Sequence, residues 1–302
     1  MGAMTTVSPG SFTIGALAEA AAVSVKTVRY YSDAGLLPSP ERSTGGHRRY
    51  DERALEALLT LRRLRGLGLP LALAGPVVRG ELSLEDAIAS QQADVERQLT
   101  ELRWRSAGLE ALRLAAGDPE GLRLLGEAMR HAPERDTFAT FWRRLLPIRM
   151  PDGLRSAIIE AALPELPAAP TAQQALAYAQ LHALTADRAY AAAVCAQDTM
   201  DCETAPLLYQ GLGEAYELAA AELARRSAPQ AGQALDCFVA AHARAARSVD
   251  SADFRVTLRA QLIGGPVPEM LRYWELAGKL TPEPTMGAAH GWLVTALKCP
   301  AP

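Results

Sequence analysis

The 302-residue chain is longer than one compact core of ordinary size, which predicts two domains. Hydrophobic residues make up 49% and charged residues 22%, a balance that excludes an intrinsically disordered protein. The longest uncharged stretch, residues 166–186, contains prolines, glutamines and a histidine, so it does not predict a membrane span. We therefore expect a cytoplasmic protein without a membrane partner.

Charge is distributed unevenly along the chain. Residues 1–80 carry ten Lys/Arg and six Asp/Glu, whereas residues 81–302 carry 21 and 28. A basic first domain favours an anionic partner that binds at one end of the protein. The cysteines are too sparse for a disulfide-stapled fold, and each is expected to be a small buried apolar residue. They are Cys195, Cys202, Cys237 and Cys299.

Three helix starts in the first eighty residues share one chemistry. Thr13, Ser24 and Asp51 each offer a side-chain oxygen at an N-cap position, after an apolar residue that can form a hydrophobic staple. The first two helices are separated only by residues 22–24, which predicts a helix-turn-helix. Residues 1–11 precede these signals and are expected to be a disordered tail that begins with an expression scar.

The second helix of this motif carries the side chains expected of a DNA-reading helix. Val25 and Val28 are expected to pack on the first helix, while cationic, hydroxyl and aromatic groups share the other side. Such a face suits phosphates and base edges in a major groove. An ordinary solvated helix face is the alternative. The candidate DNA contacts are Lys26, Thr27, Arg29 and Tyr30.

The next segment predicts a β-hairpin with a cationic surface. Gly45-Gly46 supplies the positive φ angles of a tight turn, with Arg42 on one arm and His47, Arg48 and Arg49 on the other. A hairpin this short has no core of its own, so its cations are available for the phosphate backbone. The segment therefore indicates a wing beside the helix-turn-helix.

Together these segments resemble the MerR family of regulators. The resemblance runs in order through residues 12–116. The segments that carry it are residues 12–15, 23–31, 35–38 and 42–50, and it continues through residues 61–68, where the family has its second helix pair. It implies a winged-helix DNA-binding domain over residues 12–80. One departure is His47, where the family usually has tyrosine; a histidine can still donate to a phosphate.

Residues 83–116 predict one long connecting helix. Ser83-Leu84-Glu85-Asp86 has the form of a capping box, and a modest heptad seam follows, broken by polar residues. Packing within the chain is the alternative. The family resemblance implies a dimerisation helix over residues 82–117, paired in a two-stranded antiparallel coiled coil, and a homodimer on a pseudo-palindromic operator. The candidate seam residues are Ile88, Val95, Leu99, Leu102 and Leu109.

Residues 119–302 predict an all-α effector-binding domain of eight or nine helices. The stretch is alanine-rich and helical in period, without the alternation of strands. Pro164, Pro167 and Pro170 predict a loop between helices. The expected fold class is thus mostly α, with a small β-hairpin wing, a long antiparallel coiled-coil dimerisation helix and an all-α C-terminal domain. The clearest helical stretches are residues 134–146, 171–197, 205–227, 230–248 and 266–277.

No catalytic, metal or cofactor motif stands out in this region. A glycine-rich phosphate loop, a His-Glu-x-x-His sequence and a nucleophile elbow are all missing from the sequence. Metal-sensing members of the MerR family place cysteines near the connecting helix and the loop after it, where this chain has none. We therefore expect no enzyme, no metal and no cofactor.

The aromatic residues of the C-terminal region suggest where a small molecule would bind. Most of these rings are expected to be core, but rings with a few polar groups can also line an apolar pocket. The resemblance supports a pocket, because MerR members with large C-terminal domains bind small effectors there. The expected effector is organic and largely apolar. Its candidate contacts are Phe138, Trp142, His182, Tyr273 and Trp274.

These observations predict a ligand-responsive transcription regulator that binds double-stranded promoter DNA. The MerR resemblance implies activation by distortion of an over-long promoter spacer, so that RNA polymerase can engage both promoter elements. One alternative is a drug-sequestering resistance protein with an autoregulatory DNA-binding arm. The other is an enzyme that uses the C-terminal domain, for which the sequence offers no catalytic constellation.

Overall fold

The computed structural model describes residues 11–42, 46–114, 118–130, 132–147, 149–197, 204–263 and 268–299. The chain divides into two compact units, Met1–Gln98 and Leu99–Pro302. Residues 1–10 of the expected tail and Gly45 of the expected turn lie outside the described residues. Within the described ranges the protein is mostly helical with one small sheet, which confirms the predicted mostly α fold with a small β-hairpin wing.

The first unit contains the predicted helix-turn-helix, wing and second helix pair. Its elements are β1 (Phe12–Thr13), α1 (Ile14–Ala20), α2 (Val25–Asp33), β2 (Glu41–Arg42), β3 (Arg48–Tyr50), α3 (Glu52–Gly66), α4 (Leu71–Arg79) and the start of α5 (Leu84–Leu114). All three predicted N-caps form. The side-chain oxygens of Thr13, Ser24 and Asp51 accept from backbone N–H groups three residues ahead, at 3.2, 3.0 and 2.9 Å.

The wing belongs to a three-stranded antiparallel sheet in the order β1-β3-β2. Glu41 pairs with Arg49 across the hairpin, and Phe12 pairs with Tyr50 on the other edge of β3. The sequence predicted the hairpin but not β1, whose two residues carry only the signals of a helix start. The extra strand ties the wing to the beginning of α1, beside a core that includes Leu17, Val28, Tyr50, Leu58 and Leu61.

Among the described residues, three helices are followed by a left-handed residue that is not glycine. Ala22, Arg226 and Arg247 follow the ends of α1, α11 (Ala205–Ala224) and α12 (Gln233–Ala245), with φ values of 49°, 58° and 51°. In each case the next backbone N–H reaches five residues back, at 2.8–3.0 Å. This pattern is a Schellman motif, which satisfies carbonyls at the helix end.

The connecting helix α5 is 31 residues long and begins at the predicted capping box. The hydroxyl of Ser83 accepts from the N–H of Asp86 at 3.0 Å and donates to its carboxylate at 2.7 Å. Ala87 near the start of α5 is buried in the core of the first unit. Trp104 and Ala107 are buried in a core of the second unit.

The second unit is all-α across its described residues. Besides the end of α5 it contains α6 (Pro119–Ala128), α7 (Asp136–Leu145), α8 (Asp152–Ala162), α9 (Ala172–Ala186), α10 (Arg188–Gln197), α11, α12, α13 (Ala252–Ile263), α14 (Pro268–Leu280) and α15 (Met286–Ala296). The predicted proline loop lies between α8 and α9. The expected helix over residues 171–197 is instead two helices, because Asp187 is extended and its carboxylate caps α10 through the Ala189 N–H at 2.8 Å.

This unit has two hydrophobic cores of different composition. The first is rich in aromatic rings and is built from α5 to α10 and α14. The second is rich in alanine and lies among α11, α12, α13 and α15, around Phe238 and Trp292. Small side chains let these helices approach closely: a Cβ on Gly211 of α11 would lie 2.8 Å from the Cβ of Ala241 on α12.

Candidate DNA-binding and effector sites

Helix α2 presents the predicted cationic face to solvent. Val28 is fully buried and anchors the helix on the core, whereas Lys26 and Arg29 are exposed and the ring of Tyr30 is 59% exposed. Val25 was predicted to pack on α1 as Val28 does, but its side chain, at the start of α2, is 41% exposed. The exposed face of α2 therefore carries two cations, a phenol and an apolar side chain.

Thr27 has a structural role in addition to its predicted contact. Its hydroxyl lies 2.8 Å from the hydroxyl of Ser24, which caps the helix through the Thr27 N–H. A groove of about 420 Å³ runs beside this face of α2. Tyr31 of α2, Arg65 of α3 and Leu71 of α4 also line it. The sequence did not indicate Arg65 or Leu71, since neither belongs to the helix-turn-helix.

The wing is joined to α2 by an ion pair. The guanidinium of Arg48 donates to the carboxylate of Asp33 at 2.6 Å, and this hydrogen bond raises the pKa of Arg48 above its usual value. Below it the hydroxyl of Tyr50 donates to that of Ser32 at 3.1 Å. Arg48 thus holds the wing against the end of α2, a role that the sequence did not indicate. His47 is exposed, and the side chain of Arg42 lies outside the described residues.

The predicted seam residues of α5 are all solvent-exposed in the single chain. Their exposed fractions are 38% for Ile88, 43% for Val95, 46% for Leu99, 58% for Leu102 and 69% for Leu109. Ion pairs between Arg97 and Asp94 and between Arg105 and Glu101 run along the same helix. A row of exposed aliphatic side chains at heptad spacing is what an unpaired coiled-coil helix presents.

Most of the predicted ligand contacts lie inside the aromatic core. Phe138 and Tyr273 have no exposed surface, and Trp142 is 5% exposed. Phe141 stacks on Tyr273 with ring centres 5.6 Å apart, and the Tyr273 hydroxyl donates to the carbonyl of Ala162 at 2.9 Å. The three rings are packed within the core and offer a ligand almost no exposed surface. The indole N–H of Trp142 is buried and has no hydrogen-bond partner within the described residues.

His182 and Trp274 are the more accessible members of that predicted set. His182 is half-buried and lies 6.0 Å from the ring of Tyr178, and burial lowers its pKa. Trp274 packs at 5.5 Å on Trp142 and is also half-buried. Of the five predicted contacts, Trp274 is the one that borders the cleft described next.

That cleft, here called the Trp274 groove, has a volume of about 500 Å³. It lies between the end of α8, the end of α14 and the loop before α15. Its apolar lining is Ala157, Ala161, Ala162, Leu163, Pro164, Trp274, Ala277 and Pro284. Its polar lining is Arg135, Glu160, Glu165, Thr281, Glu283 and Thr285. The arrangement combines one broad ring with several charged groups, as organic-ligand sites do.

Two half-buried histidines, His242 and His290, lie beside Phe238 of the second core. Nδ1 of His290 lies 3.2 Å from the hydroxyl of Tyr216, and the ring of Phe238 packs edge-on against His242 at 4.6 Å. Nε2 of His242 has no hydrogen-bond partner within the described part of the chain. Burial, with a smaller contribution from His290, lowers the pKa of His242 to about 4. The imidazole of His242 is therefore neutral at neutral pH, and burial also lowers the pKa of His290.

The described ranges contain neither a metal-ligand cluster nor a membrane-spanning helix. No group of three or more His, Cys, Asp or Glu side chains lies close enough there to hold a metal ion. No described helix is both long enough and apolar enough to cross a membrane. Cys237 and Cys299 are free thiols, whereas the side chains of Cys195 and Cys202 lie outside the described residues.

Comparison with known proteins extends the similarity seen in the sequence. Residues 12–80 match the family model for the MerR HTH family regulatory protein. The mercuric resistance operon regulatory protein of Bacillus cereus is 33% identical over 99 residues, which cover 30% of this chain and 75% of that protein. The HTH-type transcriptional activator TipA of Streptomyces coelicolor is 31% identical over 131 residues, 43% of this chain and 49% of TipA.

Other relatives match over a shorter share of their length. The nodulation protein NolA of Bradyrhizobium elkanii is 38% identical over 86 residues, which cover 28% of this chain and 39% of NolA. The similarity therefore concerns one region of each protein.

Proposed function

Because the chain belongs to the MerR family of DNA-binding transcription regulators, we propose that it acts as a ligand-responsive homodimer at a promoter. In this proposal residues 12–80 bind the operator, residues 82–117 join two protomers, and residues 119–302 bind a small organic effector. The observation that carries it is the position of the exposed cations of α2 beside a cationic wing, in the region that matches the family model.

The contacts proposed for DNA follow from exposure and charge. Lys26 and Arg29 are exposed and form no ion pair within the described residues, so both are available to phosphates. Tyr30 and Val25 add a phenol and a methyl-rich surface that suit base edges. Arg42, His47 and Arg48 would contact the backbone from the wing, with Arg48 exchanging Asp33 for a phosphate or keeping it.

The homodimer is proposed from the exposed row on α5. Leaving aliphatic side chains in water is unfavourable by about 25 cal/mol per Å² of apolar surface, and pairing two such helices removes that surface. An antiparallel pair places two DNA-binding units about a two-fold axis, which requires a pseudo-palindromic operator.

The proposed output is activation of transcription. TipA is named as a transcriptional activator, and it matches this chain over a longer stretch than NolA or the mercuric resistance regulator does. A dimer that untwists or bends an over-long promoter spacer would let RNA polymerase contact both promoter elements. An effector drives this change only if it binds the distorting form more tightly than the other.

Selection of binding sites from random DNA tests the proposal, because it does not require a known operator sequence. Incubation of a random duplex library with the purified full chain should enrich a pseudo-palindrome with two equivalent half-sites. Lys26→Ala/Arg29→Ala should lose that selection, whereas Arg97→Ala on α5 should retain it. Enrichment of a single half-site, or equal recovery of random duplexes, would contradict the proposal.

A further inference from the structure

The Trp274 groove has one wall that is fixed before any ligand arrives. One side of the Trp274 ring is held by Trp142 at 5.5 Å and by the backbone of α15, where a Cβ on Gly287 would come within 2.0 Å of the ring. Tyr273, the preceding residue, is tied to the end of α8 by its hydrogen bond to Ala162. The ring is thus preorganised, which lowers the entropy lost when a flat molecule binds against it.

The charge of the groove is negative. Arg135 donates to Glu160 at 2.9 Å, so these two groups largely neutralise each other. Glu165 and Glu283 are exposed at the rim and form no ion pair within the described part of the chain. Two helix ends and two helix starts border the groove, so their dipoles oppose one another. The carboxylates of Glu165 and Glu283 therefore determine that the charge of the groove is negative.

We propose that the Trp274 groove is the effector site and that its ligand is a planar organic cation. The flat apolar body lies against Trp274 and the alanine and proline side chains, and the positive charge is directed to Glu165 and Glu283. This inference rests on the proposed function for the existence of an effector, and adds the site and the charge of the ligand. Attraction between a cation and the face of a tryptophan acts in the same direction as the two carboxylates.

Three acridines with the same ring system show how the charge of the ligand affects its affinity when the shape of the ring is kept constant. At neutral pH 9-aminoacridine is a cation, acridine is neutral and acridine-9-carboxylate carries an anionic group. Calorimetric titration of the full-length protein should give the order cation, neutral compound, anion in decreasing affinity. Added salt should narrow the difference between the cation and the neutral compound, since the two carboxylates are exposed.

Substitutions in the Trp274 groove test whether the acridines bind there. Glu165→Gln/Glu283→Gln should weaken 9-aminoacridine about tenfold and leave acridine within about twofold, because two exposed charge pairs are removed and the apolar wall stays. The matched control Glu217→Gln/Asp253→Asn removes two exposed carboxylates elsewhere in the same unit and should change neither affinity. Trp274→Leu, accepted only if its melting curve shows a folded protein, should weaken both compounds about fivefold.

The inference is overturned by any of three results: no acridine binds, the neutral compound binds as tightly as the cation, or the glutamine variant binds the cation as well as the parent does. Operator binding, measured on the same preparation, tells the two proposals apart. A protein that binds its selected operator but fails these titrations keeps the proposed function and loses this site. A protein that fails to select an operator contradicts the proposed function, whatever the groove binds.

Discussion

The two units of this protein carry their chemistry in opposite places. In the first unit the apolar residues form a small core and the charged residues of α2 and the wing stand outside it. In the second unit the conspicuous residues are aromatic, and most of them are buried in contact with one another. The difference teaches that exposed charge at a helix face is informative about function, whereas a high density of aromatic residues mainly reports a core.

The largest effect is expected from substitutions on α5. Its leucines are an exception to this contrast, because they are apolar side chains that are exposed to solvent. Leu99→Glu/Leu102→Glu should convert a dimer into a monomer in sedimentation experiments, because pairing would bury two carboxylates per helix. Operator affinity should fall roughly hundredfold or more, since each protomer would then bind one half-site alone. Leu122→Glu, on an equally exposed leucine of α6, is the control and should remain dimeric. A double variant that stays dimeric would place the interface elsewhere.

The next largest effect tests whether the aromatic cluster is core. Phe141→Ala should lower the free energy of unfolding by about 3–5 kcal/mol, because the ring is fully buried between Tyr190 and Tyr273. Trp274→Ala should cost less, since one side of its ring faces the Trp274 groove. Urea denaturation of both variants measures the difference. A decrease of less than about 1 kcal/mol for Phe141→Ala would mean that these rings are not the core of the unit.

His242 and His290 should make stability depend on pH in a specific window. The folded pKa of His242 is about 4, below the unfolded value near 6.5, so the unfolded chain binds more protons between them. The free energy of unfolding therefore has its full value above pH 6.5 and decreases by up to about 3 kcal/mol as the pH falls to about 4. His290, whose pKa burial also lowers, acts in the same direction.

Urea denaturation across this pH range measures the effect. His242→Gln should flatten the dependence, whereas Tyr216→Phe, which removes only the hydrogen bond to His290, should keep it. A wild-type stability that does not change between pH 6.5 and 4.5 would show that His242 is not buried in solution.

The smallest expected effect is a difference in the salt dependence of DNA affinity between variants of two arginines in the first unit. Arg29→Ala should reduce the slope of log affinity against log salt by about 0.9 for each phosphate that the arginine neutralises, or about twice that for a dimer. Arg48→Ala should change the slope less, because its guanidinium is already paired with Asp33. Arg97→Ala is the control. Equal changes for Arg29 and Arg48 would show that the wing releases Asp33 when DNA binds.

The fold of the first unit was predictable because its signals are local. Each N-cap lies within three residues of the N–H group that it accepts from, so Thr13, Ser24 and Asp51 could be identified directly. The same is true of the capping box at Ser83 and of the break made by Pro164, Pro167 and Pro170. Strand β1 escaped detection because its partner lies almost forty residues away, at Tyr50.

The candidate sites depended more on contacts between distant residues. Arg48 looks like a phosphate contact until Asp33, fifteen residues earlier, is brought to it. Glu165 and Glu283 lie on separate loops, and only the packing of α8 against neighbouring helices places both beside Trp274. For the rings of Phe138 and Tyr273 the sequence favoured core over ligand wall but did not decide between them, because burial depends on which faces of the helices meet.

The left-handed residues at the ends of α1, α11 and α12 are positions where substitution by glycine should raise the stability of this protein. An L-residue other than glycine in that conformation costs about 1–2 kcal/mol of stability. Glycine removes this strain, but part of the improvement is lost because glycine makes the unfolded chain more flexible. Replacing Ala22, Arg226 and Arg247 by glycine would relieve three independent strains, each on an exposed backbone position. Arg226 and Arg247 are remote in sequence from the proposed operator contacts and groove, so they are suitable first positions for engineering a hardier regulator.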